Sequence, residues 1–296
     1  MTIASTLRLS LYGVALSAIS TLGLIGCSNS STDTPATTEN SAAVDAEKPA
    51  KSIAITQIVE HPSLDDMRRG IIDELADNGY VEGQNLTVNF QSAQGNTATA
   101  GQIAKQFAGD NPDAIVAIST PSAQSVVAAT TTIPIIYTAV SDPLGAKLIT
   151  ADGKPFQSNL TGLSSQLPLE PQLDLLQQIK PDLKTIGYVY SPGEVNSTII
   201  LKNLKEKLTP LGINVLEAPA QRSNDIAMAA RSLEGKVDMI YTSTDNNVVS
   251  AYESLYQIAK ESKIPLIASD TSSVERGAVA ALGVNYYELG RETGKI

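Results

Sequence analysis

The fold is decided by the stretch Ser52-Ile-Ala-Ile-Thr-Gln-Ile58 and by the amphipathic segment at residues 63–78 that follows it. The first is a short apolar run of the kind that forms a buried strand. The second carries its apolar side chains at helical spacing, at Leu64, Met67, Ile71, Ile72 and Leu75. Gly79 follows where a helix C-cap is expected. Together they predict one β-strand followed by one α-helix.

The same alternation of strand and helix recurs along the rest of the chain. Further strands are predicted at residues 85–91, 114–118, 134–138, 185–190, 213–218, 237–241, 264–268 and 278–284. Helices are predicted at residues 97–108, 120–129, 169–179, 196–211, 225–233 and 248–262, and a last one begins near Tyr287. A passage rich in Gly and Pro at residues 142–162 separates two such series. This order predicts an α/β protein with parallel sheets in two lobes of similar construction.

The N-terminus has the features of a lipoprotein signal peptide. An apolar stretch at residues 9–25 leads into Leu24-Ile25-Gly26-Cys27, with a branched residue at −3 and a small one at −1 from the only cysteine. The stretch is short for a membrane span of roughly 20 apolar residues. The sequence therefore predicts lipidation of Cys27 and anchoring on the extracytoplasmic face of a bacterial membrane, in the periplasm or at the cell surface. A chance cysteine after a transmembrane helix is the alternative.

Residues 28–51 are almost entirely small and polar, and they predict a flexible linker between the anchor and the folded part.

The charge and composition of the chain argue against some kinds of partner and chemistry. The net charge is −10, and it becomes −11 once Arg8 leaves with the signal peptide. This balance argues against nucleic acid as a partner. One His and no Trp also leave little imidazole chemistry and few stacking surfaces.

Polar clusters follow the predicted strands, at the places where helices begin. They are Glu60-His61-Pro62, Ser119-Thr-Pro-Ser122, Thr138-Ala-Val-Ser-Asp-Pro143, Ser191-Pro-Gly-Glu-Val-Asn-Ser197, Thr242-Ser-Thr-Asp-Asn246 and Ser269-Asp-Thr271. Parallel sheets bind ligands outside the carboxyl ends of their strands, where the N–H groups of helix starts are free. The clusters offer hydroxyls, amides and carboxylates, and His61 is their only basic residue. They predict a polar ligand site.

Four stretches resemble the motifs of a known family, in the family's order. They are Ile135-Ile-Tyr-Thr-Ala-Val-Ser-Asp-Pro143, Ser191-Pro-Gly-Glu-Val-Asn-Ser197, residues 236–250 and residues 264–277. They resemble the substrate-binding lipoproteins of ABC importers that include tryptophan- and tyrosine-binding members. The resemblance implies a type I periplasmic-binding-protein fold, in which two Rossmann-like lobes are joined by a hinge of three crossovers and enclose the ligand between them.

The resemblance also divides the chain. It implies a signal peptide at residues 1–26, a lipidated Cys27 and linker at 27–51, an N-terminal lobe at 52–163 and 277–296, and a C-terminal lobe at 164–276. Because relatives continue after the helix that begins near Tyr287, it implies a further crossover and a terminal segment there.

An amino-acid ligand of the kind the family binds is a zwitterion, so its site needs donors for the carboxylate and an acceptor for the ammonium. Thr120 precedes Pro121 as an N-cap precedes the first helical residue, and with Ser122 it is the first candidate for the carboxylate. Asn196 and Ser197 offer the same chemistry from the second lobe. For these residues, simple capping of their own helices is the alternative.

Asp270 is the best candidate to accept the ammonium, because it follows the strand at residues 264–268 and the family pattern places it at the cleft edge. The other candidate contacts are Glu60, His61, Thr138, Asp142, Asp245 and Asn246. Asp245 and Asp142 have an alternative as helix or turn caps, and His61 as a surface turn residue.

Tyrosines at strand ends are candidates to stack on an aromatic ligand. Tyr137, Tyr190 and Tyr241 end predicted strands near the cleft, and membership of the core is the alternative for all three. Tyr286 and Tyr287 fit the family's closing motif and are predicted to be packing residues.

The sequence favours a binding protein over an enzyme. It has no HExxH, no cysteine ligand set, no GxGxxG after the first strand and no GxxxxGK[ST], so neither a metal nor a cofactor is expected. The predicted partners are a small solute, an aromatic or other amino acid with tryptophan, tyrosine and phenylalanine as the first candidates, and the permease subunits of an ABC importer. A sensor that passes its signal to a membrane receptor is the alternative.

Overall fold

The computed structural model describes residues 48–296, so the predicted signal peptide, Cys27 and nearly all of the linker lie outside the described residues. The strands are β1 (Lys51–Gln57), β2 (Leu86–Ser92), β3 (Ala114–Ile118), β4 (Ile135–Val140), β5 (Leu160–Ser164), β6 (Thr185–Tyr190), β7 (Asn214–Pro219), β8 (Met239–Thr242), β9 (Leu266–Asp270) and β10 (Ala280–Val284). The helices are α1 (Pro62–Asp77), α2 (Thr97–Asp110), α3 (Thr120–Ala129), α4 (Leu169–Ile179), α5 (Val195–Leu208), α6 (Ile226–Arg231), α7 (Asn246–Ser250), α8 (Tyr252–Glu261) and α9 (Tyr286–Gly294). Within this part of the chain, no helix has the length and apolar character needed to span a membrane.

Two sheets of five parallel strands form the centres of two lobes, which confirms the predicted α/β architecture. The first sheet has the order β2-β1-β3-β4-β5 and the second the order β10-β9-β8-β6-β7. Apolar side chains of β1, β3 and β4 build the core of the first lobe. The second sheet carries a separate apolar cluster on each face, because alternate residues of β6 and β8 point to opposite sides.

The chain passes between the lobes twice within residues 48–296. It first crosses from β5 to α4 through residues 165–168, and it returns from β10 to α9 at Asn285. The return had been expected at residue 277, but β10 pairs in parallel with β9 and therefore belongs to the second lobe. Only α9 packs back on the first lobe, against α1. These two segments connect the lobes within residues 48–296.

Two further differences from the sequence-based elements have identifiable structural causes. Strand β5 lies in the passage rich in Gly and Pro, and it depends on Gly162, where a Cβ atom would lie 2.1 Å from the carbonyl oxygen of Tyr137. The helix predicted at residues 248–262 is two helices, α7 and α8, because the backbone at Ala251 leaves the helical region (φ −110°, ψ 27°).

Helix α9 fastens the end of the chain to the first lobe at very close range. A Cβ atom built on Gly290 would lie 2.2 Å from the carbonyl oxygen of Met67, and one on Gly70 would lie 2.2 Å from that of Tyr287. The two backbones touch only because neither glycine has a side chain. Arg291 adds an ion pair of 2.9 Å to the buried Glu74 of α1.

Candidate functional site between the lobes

The carboxyl ends of strands from both sheets face a small cavity between the lobes. Its lining comprises His61, Ser63, Leu64, Ala139 and Tyr286 from the first lobe and Thr244, Asn246, Val249 and Asp270 from the second. The cavity is narrow, and the empty space around its lining atoms, part of which is open to solvent, is about 260 Å³. We call it the interlobe cavity. Its position is the one in which open parallel sheets place their ligands.

Asp270 ends β9 at the wall of the interlobe cavity and is 2% exposed. Its Oδ1 accepts a hydrogen bond of 2.9 Å from Ser63 Oγ, which reaches across from the first lobe. Its Oδ2 accepts 2.8 Å and 3.0 Å bonds from the hydroxyls of Ser273 and Ser272. These donors are all neutral. A buried carboxylate held only by neutral donors is costly and favours a cation beside it.

Basic side chains do not neutralise Asp270 in the part of the chain that the structure describes. Arg276 approaches the same region, but its guanidinium pairs with Glu253 at 2.6 Å and donates to the carbonyl of Val249 at 2.6 Å. No salt bridge within residues 48–296 includes Asp270. The cavity therefore presents a carboxylate that forms no ion pair with a basic side chain of the described residues.

His61 lines the same cavity and is uncharged at neutral pH. Burial lowers the pKa of the imidazole to about 4, although the nearby Asp270 acts in the opposite direction. His61 precedes α1 but makes no side-chain bond to the helix, and its Nδ1 has no hydrogen-bond partner among the described residues. Since buried polar atoms are normally paired, this nitrogen is available to a ligand.

A buried pair of acidic side chains supports the second-lobe wall of the cavity. Asp245 accepts bonds from Ser191 Oγ at 2.8 Å and Ser197 Oγ at 2.5 Å. Glu194 Oε2 accepts from the side-chain amide of Asn246 at 2.7 Å, and it thereby fixes an amide that lines the cavity. Burial, reinforced by the charge of Asp245, raises the pKa of Glu194 to about 8. Burial also raises the pKa of Asp245. The pair keeps a proton at neutral pH.

This retained proton makes stability depend on pH, and Glu194→Gln tests it. Folded Glu194 is protonated up to about pH 8, whereas the unfolded carboxyl loses its proton near 4.5. The folded state therefore binds more protons in this window, and the free energy of unfolding falls as pH rises through it. Glutamine mimics the protonated acid and does not titrate. The free energy of unfolding of the variant, relative to that of the wild type, should therefore rise by at least about 1 kcal/mol as the pH increases from about 5 to about 8. Urea unfolding of both proteins across this range measures the difference, and a pH-independent difference would contradict the assignment.

The structure brings three of the predicted contacts, His61, Asn246 and Asp270, to one cavity. The other predicted contacts lie elsewhere. Glu60 is exposed and accepts from Gln94, and Thr138 bonds to Thr293 of α9. Asp142 accepts from the backbone N–H of Gly145, as a turn cap does.

Helix starts differ in detail from the sequence-based expectation. Thr120 is the first residue of α3 rather than its N-cap, which is Ser119, and Ser122 is fully buried. Asn196 lies inside α5, where it donates to Glu194 at 3.1 Å. Asp245 caps α7 by accepting from the N–H of Val248. Its oxygens and the hydroxyl of Ser197 are thus engaged within the second lobe.

Several residues of the cavity were not among the predicted contacts. In the sequence, Ser63 is an ordinary residue of the first turn of a helix, and Thr244 is one of several hydroxyl residues in a polar cluster, so neither stands out as a ligand contact. Tyr286 had been predicted to pack, and it is buried in the first-lobe core with one side on the cavity. Ala139 has a positive φ of 54°, which is uncommon for alanine and marks a strained strand end beside the cavity. Sequence alone carries no sign of that backbone conformation.

Comparison with known proteins gives a consistent result. A family model described as ABC transporter substrate binding protein matches residues 52–296. A tyrosine-binding protein of Clostridioides difficile (strain R20291) is 41% identical over 273 residues, which are 92% of this chain and 78% of that protein. The ABC domain of a Streptococcus protein in complex with L-Trp is 33% identical, with a TM-score of 0.79 over 83% of each chain. A ligand-free, open substrate-binding protein with adhesive properties from Clostridium difficile is 44% identical, with a TM-score of 0.59 over 83% of each chain.

The two solved structures differ in an informative way. The Trp complex has the lower sequence identity but the higher TM-score. Rotation of one lobe against the other lowers a TM-score without altering identity, so the higher score agrees with a lobe arrangement like that of the Trp complex. The bond from Ser63 to Asp270 across the cavity agrees with this arrangement. With its two α/β lobes of the type I periplasmic-binding kind and its family match over residues 52–296, the chain belongs to the ABC transporter substrate-binding protein family.

Proposed function

We propose that this protein captures a free amino acid, most favourably an aromatic one, between its lobes and delivers it to the permease of an ABC importer. The observation that carries the proposal is the buried carboxylate of Asp270, which has neutral donors but no cationic partner within the described residues. The ammonium of an amino acid supplies the missing charge. Desolvation of Asp270 then becomes favourable instead of costly, because a buried ion pair with full hydrogen bonding replaces an isolated charge.

The carboxylate of the ligand is bound by neutral donors in this proposal. The amide of Asn246 and the hydroxyl of Thr244 line the same cavity, as does the unpartnered Nδ1 of His61. Helix α1 begins beside them, and its first N–H groups carry partial positive charge. No lysine or arginine is needed, since several neutral donors at a helix start suffice for an anion.

The aromatic preference rests on the relatives. One relative is named for tyrosine and one solved structure contains L-Trp, at 41% and 33% identity respectively. Capture by closure follows from the two-lobe site, because a ligand that contacts both lobes stabilises the closed arrangement over the open one. Lipidation of Cys27 and anchoring on the extracytoplasmic face of the membrane complete the proposal, and they would keep the protein beside its permease.

Thermal unfolding of the purified protein with each of the twenty amino acids tests the proposal. At about a hundredfold excess over its dissociation constant, the true ligand should stabilise the fold by about 2.7 kcal/mol and raise the melting temperature by roughly 5–10 °C. The expected responders are tyrosine, tryptophan and phenylalanine. Tyramine lacks the carboxylate and 3-(4-hydroxyphenyl)propionate lacks the ammonium, so both should act far more weakly than tyrosine. A folded protein that responds to no amino acid would overturn the proposal.

A further inference from the structure

A second and larger cavity lies between the lobes, next to the crossover at residues 165–168. The empty space there, part of which is open to solvent, is about 550 Å³, and the lining includes Ser165 and Leu167 of the crossover, Ile199 and Ile200 of α5, and Asp142 of the first lobe. We call it the crossover cavity. Thr244 lines both this cavity and the interlobe cavity, so the two spaces adjoin at that side chain.

Two buried hydroxyls in the crossover cavity lack hydrogen bonds. Ser165 is 6% exposed and Ser269 is 5% exposed, and the Oγ atom of each has no partner among the described residues. A tyrosine hydroxyl lies near each of them, that of Tyr286 near Ser165 and that of Tyr241 near Ser269, but the geometry completes neither bond. Buried polar atoms are rarely left unpaired, so two in one cavity indicate that something polar binds there.

The rest of the cavity describes what that molecule must look like. Leu167, Leu169, Ile199 and Ile200 supply its apolar surface, and Gln166, Gln172 and Asn203 add neutral polar groups. Asp142 is the only charged residue of the lining, and it would repel an acidic group. The occupant is therefore an apolar body that carries a neutral hydrogen-bonding group. A small polar molecule would make few contacts with the apolar side chains, and an aliphatic side chain would leave both serine hydroxyls without hydrogen bonds.

We propose that the crossover cavity holds the side chain of the bound amino acid and that Ser165 and Ser269 select a ring with a polar edge, a phenol or an indole. The inference rests on the proposed function, because it places the ligand's ammonium and carboxylate in the interlobe cavity. From there the ligand extends past Thr244 into the crossover cavity. Each serine hydroxyl can both donate and accept, so the pair can bind a phenol O–H or an indole N–H.

The residues around the crossover cavity come from different parts of the fold, so a ligand bound there would connect those parts. Ser165 belongs to the crossover itself, Ser269 belongs to the second sheet, and Asp142 belongs to the first lobe. A ring that bonds to both serines joins the crossover to the second lobe. The ring can bond to both serines only when the lobes and the crossover have the closed arrangement. Recognition of the side chain is therefore coupled to closure.

Calorimetric titration of tyrosine, tryptophan, phenylalanine and leucine into four proteins tests the inference. The proteins are the wild type, Ser165→Ala, Ser269→Ala and the double variant. The wild type should bind tyrosine or tryptophan at least about tenfold more tightly than phenylalanine, since a buried hydroxyl left without its partner costs about that factor. The double variant should lose most of this preference through weaker binding of the polar rings, while its affinity for phenylalanine stays within about threefold of the wild type.

A matched control and two contrary results make the test decisive. Ser164→Ala removes a neighbouring hydroxyl that already bonds to the carbonyl of Val140, and it should leave the preference unchanged. If the serine variants bind all four amino acids with wild-type selectivity, the ring lies elsewhere and the inference fails while the proposed function stands. If no amino acid binds the folded wild type, the proposed function fails and the inference with it.

Discussion

Replacing Asp270 with asparagine is expected to weaken ligand binding by a factor between about 30 and several thousand. The physical reason is that the ligand's ammonium loses the only buried carboxylate that lines the interlobe cavity. Removal of one member of a buried, hydrogen-bonded charge pair costs about 2–5 kcal/mol. Asparagine keeps the size of the side chain, and its oxygen can accept from one of Ser63 and Ser273 while its NH₂ group donates to the hydroxyl oxygen of the other. Calorimetric titration with the best amino-acid ligand measures the change.

Glu60→Gln is the matched control for this substitution. Glu60 directly precedes His61, which lines the cavity, but its own carboxylate is exposed and accepts from Gln94 at 2.9 Å. Loss of that charge should leave affinity within about twofold, because exposed charge pairs contribute little. Circular dichroism and thermal unfolding establish that both variants are folded. Wild-type affinity in a folded Asp270→Asn protein would refute the role given to Asp270.

The second large effect concerns stability. Gly290→Ala is expected to lower the free energy of unfolding by about 3 kcal/mol, because the new methyl group meets the backbone of Met67 where a Cβ would lie 2.2 Å from a carbonyl oxygen. Helix propensity alone favours the opposite result, since alanine in a helix is better than glycine by about 1 kcal/mol. The steric cost at the contact between α9 and α1 is the larger effect, so the net change in stability should be unfavourable. Denaturant unfolding monitored by circular dichroism measures it.

Gly101→Ala is the control for the stability prediction. Gly101 lies in the interior of α2, and a Cβ built on it has nothing within 4 Å. Alanine should therefore stabilise the protein by roughly 0.5–1 kcal/mol. Opposite signs for the two glycines would establish that α9 is held by direct backbone contact. A stabilising Gly290→Ala would mean that α9 does not pack on α1 as described.

Much of the fold could be predicted from sequence because its signals are local. Strand β1 and helix α1 follow from the run at residues 52–58 and from the helical spacing after it, and the other strands repeat that pattern. Strand β5 escaped detection because its pairing depends on Gly162 beside Tyr137, which are 25 positions apart along the chain and meet only in the sheet. The return to the first lobe was misplaced for a related reason, since the sequence of β10 does not reveal which sheet it joins.

The site was less predictable because it depends on how two lobes meet. Asp270 was expected at the cleft, and the structure places it on the cavity wall. Its partner Ser63 lies 207 positions away, and no local pattern links the two residues. Asp245 follows a strand just as Asp270 does, yet its oxygens are engaged by Ser191 and Ser197 within the second lobe. Position after a strand identifies the edge of the sheet, while the packing of each lobe decides which side chains stay available.

Small-angle X-ray scattering of the purified protein with and without its amino-acid ligand tests the central claim, capture between two lobes by closure, most directly. The account predicts that saturating ligand lowers the radius of gyration and that the scattering curve then fits the arrangement in which Ser63 bonds to Asp270. It also predicts no such change for Asp270→Asn at the same ligand concentration. Identical curves for the free and the fully bound wild type would contradict closure as the mechanism of capture.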